Sequence, residues 1–227
     1  MGNYQHRFTD GRTMAPGKVV CIGRNYAEHV HELGNAIPDE PLLFMKPTTA
    51  LTPIFKGVSI PTTAGACHVE TEISLLIGQR ITAQTSDVLS AVAGVGVALD
   101  LTLRDLQTTL KKAGQPWEKA KAFDDSCPTS AFVDATRVED WQALTVELER
   151  NGLRQQHGSS AQMLVGIEAL LTYIANWFTL LPGDMVLTGT PAGVCALADG
   201  DHLIVRLNND WVHEEADVSL RAAVSAQ

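Results

Sequence analysis

The amino-acid sequence predicts an α+β fold, rich in strands, with a few short helices. Three observations carry that expectation. Short stretches of alternating polar and apolar residues recur along the 227 residues, bounded by Gly, Pro and Asn. Two hairpin signals stand out, Asn151-Gly152 and Asn208-Asn209-Asp210, each between alternating segments. The helical stretches do not alternate regularly with strands, as a doubly wound parallel sheet would require.

Taken in order, residues 18–22 form a buried strand ending at Gly23. Asn25 is placed to cap a short helix over 27–33, stopped by Gly34, and 35–41 read as a loop. Residues 42–45 give a strand ended by Lys46-Pro47, and 68–77 alternate as a further strand. A helix is expected over 86–93. In 94–103 one face carries Val95, Val97, Leu99, Leu101 and Leu103. The other carries Gly94, Gly96, Ala98, Asp100 and Thr102, small enough for a backbone or a ligand to approach. A helix over 105–113 closes at Gly114, and Ser160 is placed to cap a helix whose apolar residues run from Met163 to Phe178. Pro182-Gly183-Asp184 turns the chain into a strand at 185–188. The length suits a short N-terminal extension, 1–17, and one domain over 18–227.

The balance of 17 basic against 26 acidic residues, net −9, argues against nucleic acid or an anionic membrane as partner. An anionic substrate must therefore find local positive charge. The four cysteines form no C-x-x-C pair, which fits reduced thiols in a cytoplasm. Residues 1–13 lack the apolar run of a secretory signal, and the most apolar stretch, 163–181, is broken by Glu168 and Asn176, too polar for a membrane span.

The chemistry centres on carboxylates. On one strand Glu70 and Glu72 share a face, their Cα atoms about 6.5 Å apart. They repel unless water or a cation lies between them. A solvated strand face is the plain alternative to a hard-metal site. Asp100 adds a third carboxylate from a neighbouring strand, and three such ligands on Mg²⁺ or Mn²⁺ leave half an octahedron for a bidentate ligand and a water. Taken alone, Asp100 reads as a strand-end cap. His29 and Glu32, spaced i, i+3, can pair so that the carboxylate raises the imidazole's basicity, as a general base needs. A solvated helix face explains them as well, and His31 competes for the role. Lys121 and Arg24 could supply positive charge. Residues 188–193 (Thr-Gly-Thr-Pro-Ala-Gly) form a tight turn without P-loop spacing, whose amides and hydroxyls could hold a carboxylate. No G-x-G-x-x-G before a helix, G-x-S-x-G or H-E-x-x-H is present, which weakens nicotinamide, serine-hydrolase and zinc-protease readings.

Six ordered motifs together resemble the fumarylacetoacetate hydrolase superfamily. They are Ile22-Gly-Arg-Asn-Tyr-Ala-Glu-His29, Leu42-Leu-Phe-Met-Lys-Pro47, His68-x-Glu70-x-Glu72, Ala98-Leu-Asp100-Leu-Thr-Leu-Arg-Asp105, Lys121-Ala-Phe and Leu187-Thr-Gly-Thr-Pro191. The chain is similar to the single-domain branch that processes acylpyruvates and oxaloacetate. It departs from the usual pattern at Cys195, Thr71 and Ser74. The resemblance implies a mixed β-sandwich roll of the C-terminal-domain type, making 18–227 one catalytic domain, and a homodimer. It implies one Mg²⁺ or Mn²⁺ per subunit on Glu70, Glu72 and Asp100, with a His29–Glu32 dyad that activates water on a lid helix. It selects His29 over His31, makes Lys121 catalytic, and puts Arg24, Gln107, Gly189 and Thr190 at substrate-contacting positions. The expected substrate is a small anionic 2-oxo acid. Hydrolysis of the C–C bond of acylpyruvate-type 2,4-dioxo acids, such as fumarylpyruvate or acetylpyruvate, through a metal-stabilised enolate is favoured. Oxaloacetate decarboxylation or keto–enol tautomerisation follows close behind. A non-catalytic, metal-dependent binder of oxo acids is the alternative of another class.

Overall fold

Strand-forming residues dominate the chain. The computed structural model, which describes residues 4–32, 34, 38–63 and 65–221, gathers those strands into four sheets among the described residues. The largest runs in the order Leu42–Lys46, Val19–Gly23, Met185–Leu187, Thr71–Ile77, Val92–Leu99, Cys127–Thr129, Leu51–Pro53, with Val133–Asp134 also paired to Val92–Leu99. It mixes parallel pairs, such as Val19–Gly23 with Met185–Leu187, among antiparallel ones. A five-stranded sheet covers one face, in the order Leu153–Ser159, Thr145–Arg150, His202–Leu207, Val212–Arg221, Val58–Pro61. Ile73, Leu75, Val95 and Val97 from the first sheet share a core with Val146, Leu148, Val205 and Leu207 from the second. The result is the α+β, β-sandwich arrangement expected, with helices α1 (Ala27–Glu32), α2 (Arg104–Lys112), α3 (Glu118–Lys121) and α4 (Ile167–Trp177) around it.

The hairpins form where the sequence places them. Asn151 and Gly152 both take positive φ, 53° and 80°, as a type I′ turn demands. Three local expectations are corrected. Residues 86–93 give only a 3-10 turn at Leu89–Ala91, because Val92 pairs with Ile77 and is drawn into the sheet. Ser160 does not cap α4. Ser159 and Gln162 form a capping box on a 3-10 turn, and α4 begins at Ile167 after Gly166. Asn25 does not serve as the cap of α1, since its side chain bonds Val165 and Thr188 instead. Leu33, at the expected end of that helix, lies outside the described residues, as do 35–37 of the expected loop. The row of small residues on Val92–Leu99 does admit a backbone, that of residues 131–133 of the chain itself. A Cβ on Gly94 would lie 2.9 Å from both Phe132 Cβ and Phe8 Cε1.

That second face of the large sheet is closed by the N-terminal strands His6–Arg7 and Thr13–Met14 and by Phe8 and Phe132, which pack with Cys21, Leu76, Ala98 and Leu187. His6 is wholly buried there, its Nε2 3.1 Å from the Gly183 carbonyl and its Nδ1 3.1 Å from the Tyr4 hydroxyl. Burial lowers the imidazole from 6.5 to about 4, partly opposed by the Gly183 bond. The fold therefore prefers neutral His6. Its contribution is complete above the unfolded value, near 6.5, and is lost as pH falls towards 4, about 3 kcal/mol in all. Denaturant melts at pH 7 and 4.5 should show that loss in the parent. His6→Gln should be less stable at pH 7 and should narrow the gap between the two pH values. No helix among the described residues is long and apolar enough to cross a membrane.

Candidate active site

The site arises where two neighbouring strands break at the same level. The stretch 68–77 is not one strand. Cys67–Val69 joins a small sheet with Thr102–Leu103 and Cys195–Ala196, whereas Thr71–Ile77 belongs to the large sheet, and Glu70 sits in the gap. Asp100 sits in the matching gap between Val92–Leu99 and Thr102–Leu103. Its amide donates to the Glu70 carbonyl at 2.8 Å, which holds the two gaps side by side. Glu70 and Glu72 therefore converge through a break in the strand and not through a shared strand face. Glu72 pairs with Ala98 within the large sheet. One oxygen from each of Glu70, Glu72 and Asp100 lies within 4.8 Å of the others, and all three residues are buried.

Cations hold two of these carboxylates. Lys121, at the end of α3, places Nζ 2.6 Å from Glu70 Oε2 and 2.5 Å from Asp100 Oδ2. Arg104, at the start of α2, bonds the other Glu70 oxygen and donates to Gln107 Oε1 at 2.8 Å. Burial alone would push Glu70 up, but Lys121 and Arg104 outweigh it and hold the carboxyl well below the usual range. Burial alone would lower Lys121, but Asp100 and Glu70 raise it above its ordinary value. Glu72 behaves oppositely. Burial and its neighbours Asp100 and Glu70 push it well up, and it makes no salt bridge among the described residues. Its carboxylate accepts a hydrogen bond from the Gly189 amide, at 2.5 Å. Three buried hard oxygen donors, one of them without a bonded cation, are a donor set that fits a divalent ion.

Sequence reasoning missed Lys46. Its side chain is 0 % exposed, against Asp100 Oδ1 at 2.8 Å, Ser126 O at 3.0 Å, Ser126 Oγ at 3.1 Å and the Lys121 carbonyl. A fully buried ammonium is tolerated only when surrounded by such acceptors. It ties the end of α3, and so the backbone of Lys121, to Asp100. Arg104 was missed as well. Its i, i+3 spacing with Gln107 was the available signal.

The remaining expected residues distribute as follows. His29, Arg24, Gln107, Thr190 and Lys121 line one cavity with the three carboxylates, together with Arg104, Lys111, Phe44 and Trp117. His29 is buried, and burial pushes its imidazole below the usual value against the opposing pull of Glu70 and Glu32. A neutral ring, able to accept a proton, results. Its Nδ1 lies 3.4 Å from Glu32 Oε2, long for a hydrogen bond. Glu32 stands outside the cavity wall and takes the Gly193 amide at 3.0 and 3.2 Å, which ties α1 to the 188–193 turn. Asn25 ties the other end, donating to Thr188 O at 2.8 Å and Val165 O at 3.0 Å and accepting from Val165 N at 2.8 Å. Gly189 lies behind Glu72, with φ 92°, and a Cβ there would meet Asn25 Cβ at 2.7 Å. Thr190 bonds the Thr71 carbonyl at 3.0 Å and accepts from Gln156 at 2.8 Å. Arg24 takes φ 61°, an uncommon conformation for a residue with a Cβ, and one that turns the chain from the Val19–Gly23 strand into the cavity wall. Cys195 pairs with Val69 in the small sheet.

Comparison with known proteins gives the family and the fold's relatives. The family described as "Fumarylacetoacetate (FAA) hydrolase C-terminal" matches residues 18–221. The Escherichia coli (strain K12) oxaloacetate tautomerase YcgM is 50 % identical over 206 residues, 89 % of this chain and 94 % of that protein. The mitochondrial oxaloacetate tautomerase FAHD1 of Rattus norvegicus is 41 % identical over 186 residues, 82 % and 84 % of the two chains. Among solved structures, the fumarylpyruvate hydrolase of Pseudomonas aeruginosa in complex with Mn²⁺ and pyruvate superposes with a TM-score of 0.90 at 30 % identity, over 97 % of each chain.

Proposed function

The chain belongs to the fumarylacetoacetate hydrolase family, and from that premise we propose that it is a divalent-metal-dependent oxaloacetate tautomerase. The observation that carries this reading is the 50 % identity to the Escherichia coli oxaloacetate tautomerase across 94 % of that protein. The sequence alone put acylpyruvate hydrolysis first. The relatives move proton transfer at C3 of oxaloacetate ahead of it.

Glu70, Glu72 and Asp100 are the residues to hold Mg²⁺ or Mn²⁺. The ion would supply Lewis acidity at the carboxylate and keto oxygens of a 2-oxo acid. The chain's own groups do the rest. Lys121 and Arg104 balance the carboxylates, so that an anionic substrate meets a cavity whose charge does not repel it. His29, neutral through burial, takes the proton from C3 and returns it at oxygen or carbon. Glu32, beside Nδ1, favours the tautomer whose Nε2 carries the lone pair. Gln107 and Arg24 orient the substrate from the α2 side and from the strand-end turn. The working unit is a cytoplasmic homodimer acting on a small anionic 2-oxo acid, with neither nucleic acid nor membrane as partner.

A second reading, hydrolysis of an acylpyruvate, draws on the likeness to the Pseudomonas aeruginosa fumarylpyruvate hydrolase. There the His29–Glu32 pair would deliver water to the 4-carbonyl. One panel separates the readings. Ultraviolet absorbance follows the enol of oxaloacetate, and the loss of fumarylpyruvate and acetylpyruvate, with Mn²⁺ or Mg²⁺ and then with EDTA. Metal-dependent loss of the enol signal well above the spontaneous rate, with slow or no acylpyruvate cleavage, is the expected result. Fast acylpyruvate cleavage without tautomerisation would reverse the order. Ligand-dependent thermal stabilisation without any turnover would instead make the chain a binder.

A further inference from the structure

We propose that Lys111, with Arg24, recognises the second carboxylate of the substrate, so that the chain selects dianionic 2-oxo acids held at both ends. This rests on the three-carboxylate centre gripping the 2-oxo acid head, as proposed above, but not on which bond then reacts.

Helix α2 supplies the first argument. Arg104, Gln107 and Lys111 are spaced by three and four residues, hence on one face, and all three line the cavity. Between the first and the last, the helix rises about 10 Å. At the inner end Arg104 is bonded to Glu70 and to Gln107. At the outer end stands Lys111, its ammonium 5.9 Å from the centre of the Trp117 ring. Helical side chains lean towards the N-terminus, which carries the long lysine stem back along the stripe towards Gln107. Lys112, the next residue, does not line the cavity.

Charge supplies the second. A chain of net −9 places four cations, Arg24, Arg104, Lys111 and Lys121, on a wall with three carboxylates. Arg104 and Lys121 are bonded to those carboxylates. The Lys111 ammonium is lowered by burial and then by Arg24 and Arg104, against the pull of Glu70, so it stands in the field of two like charges on the same wall. A bound carboxylate would relieve that repulsion. Ile22, Phe44 and Trp117 line the same cavity as an apolar facet, suited to the carbon chain joining the two ends.

The test uses unreactive ligands on the full chain loaded with Mn²⁺, read by titration calorimetry. Oxalate probes the head alone, and malate, a four-carbon 2-hydroxy diacid, adds the second carboxylate. Lys111→Met should weaken malate about tenfold and Lys111→Glu about a hundredfold, with oxalate changed less than about twofold. Lys112→Met should alter neither. Equal weakening of both ligands, or unchanged malate binding, would overturn the assignment while leaving the metal centre intact. Failure of oxalate to bind the parent chain would overturn the metal-centre reading and this one with it.

Discussion

Replacing Glu72 by Gln should lower turnover at least about a thousandfold, yet leave the protein in EDTA as stable as the parent or more so. The two effects have one origin. Glu72 is 1 % exposed, beside Asp100 and Glu70, with no salt bridge among the described residues. In water its charge would be solvated; in the fold, like charges and burial oppose it. Gln keeps an oxygen for the Gly189 amide and removes the charge. What is lost is one of three hard donors, worth several kcal/mol to a divalent ion's hold on substrate oxygens. Melting curves in EDTA and in Mn²⁺ check both halves. The parent should gain stability with Mn²⁺, and the variant should gain little. A full metal-dependent gain in the variant would remove Glu72 from the ligand set.

Lys121→Met should act in the opposite direction on stability. Lys121 is buried and bridges Glu70 and Asp100 at 2.6 and 2.5 Å. Its loss leaves two buried carboxylates short of a cation, a cost of about 3–5 kcal/mol in EDTA. Mn²⁺ should restore a large part of that, since it brings charge to the same oxygens. Turnover in Mn²⁺ should still fall about a hundredfold or more, because the ammonium also faces the cavity where substrate charge develops. Denaturant melts with and without Mn²⁺, followed by steady-state kinetics, read all three. Unchanged stability in EDTA would show that Lys121 is not the group that neutralises the pair. The opposite signs expected for Glu72 and Lys121 make the two variants a joint test of how charge is balanced in the centre.

The residue types at the site were legible in the sequence, and so was much of the sheet. Asn151-Gly152 announced its hairpin because only that turn suits two successive positive φ values. Glu70, Glu72 and Asp100 were legible as hard donors, but their means of convergence was not. The alternation of 68–77 runs unbroken through Glu70, and the break depends on the Asp100 amide reaching the Glu70 carbonyl from another strand. Residues 86–93 had helical character locally, and the pairing of Val92 with Ile77 overrode it. Lys46 resembled a polar residue ending a strand. Its acceptors at Lys121 and Ser126 lie 75 and 80 residues further on, beyond the reach of any local pattern. Arg104 and Lys111 flank Gln107 on one helix face, so the stripe could have been read once one member was known.

The clasp formed by Asn25 has a bearing on redesign. Its side chain donates to two carbonyls and accepts one amide, stitching the start of α1 to residues 165 and 188, and its Cβ leaves room at position 189 only for hydrogen. Asp, of the same shape, would replace the donating amide group by one carboxylate oxygen facing both carbonyls. A library meant to change substrate preference therefore divides the cavity in two. Asn25, Gly189 and Gly193 form a frame whose chemistry admits few alternatives, whereas the outer stripe of α2 and the Trp117 facet are terrain open to variation. Shifts in ligand length and charge should be sought there, with the frame held constant.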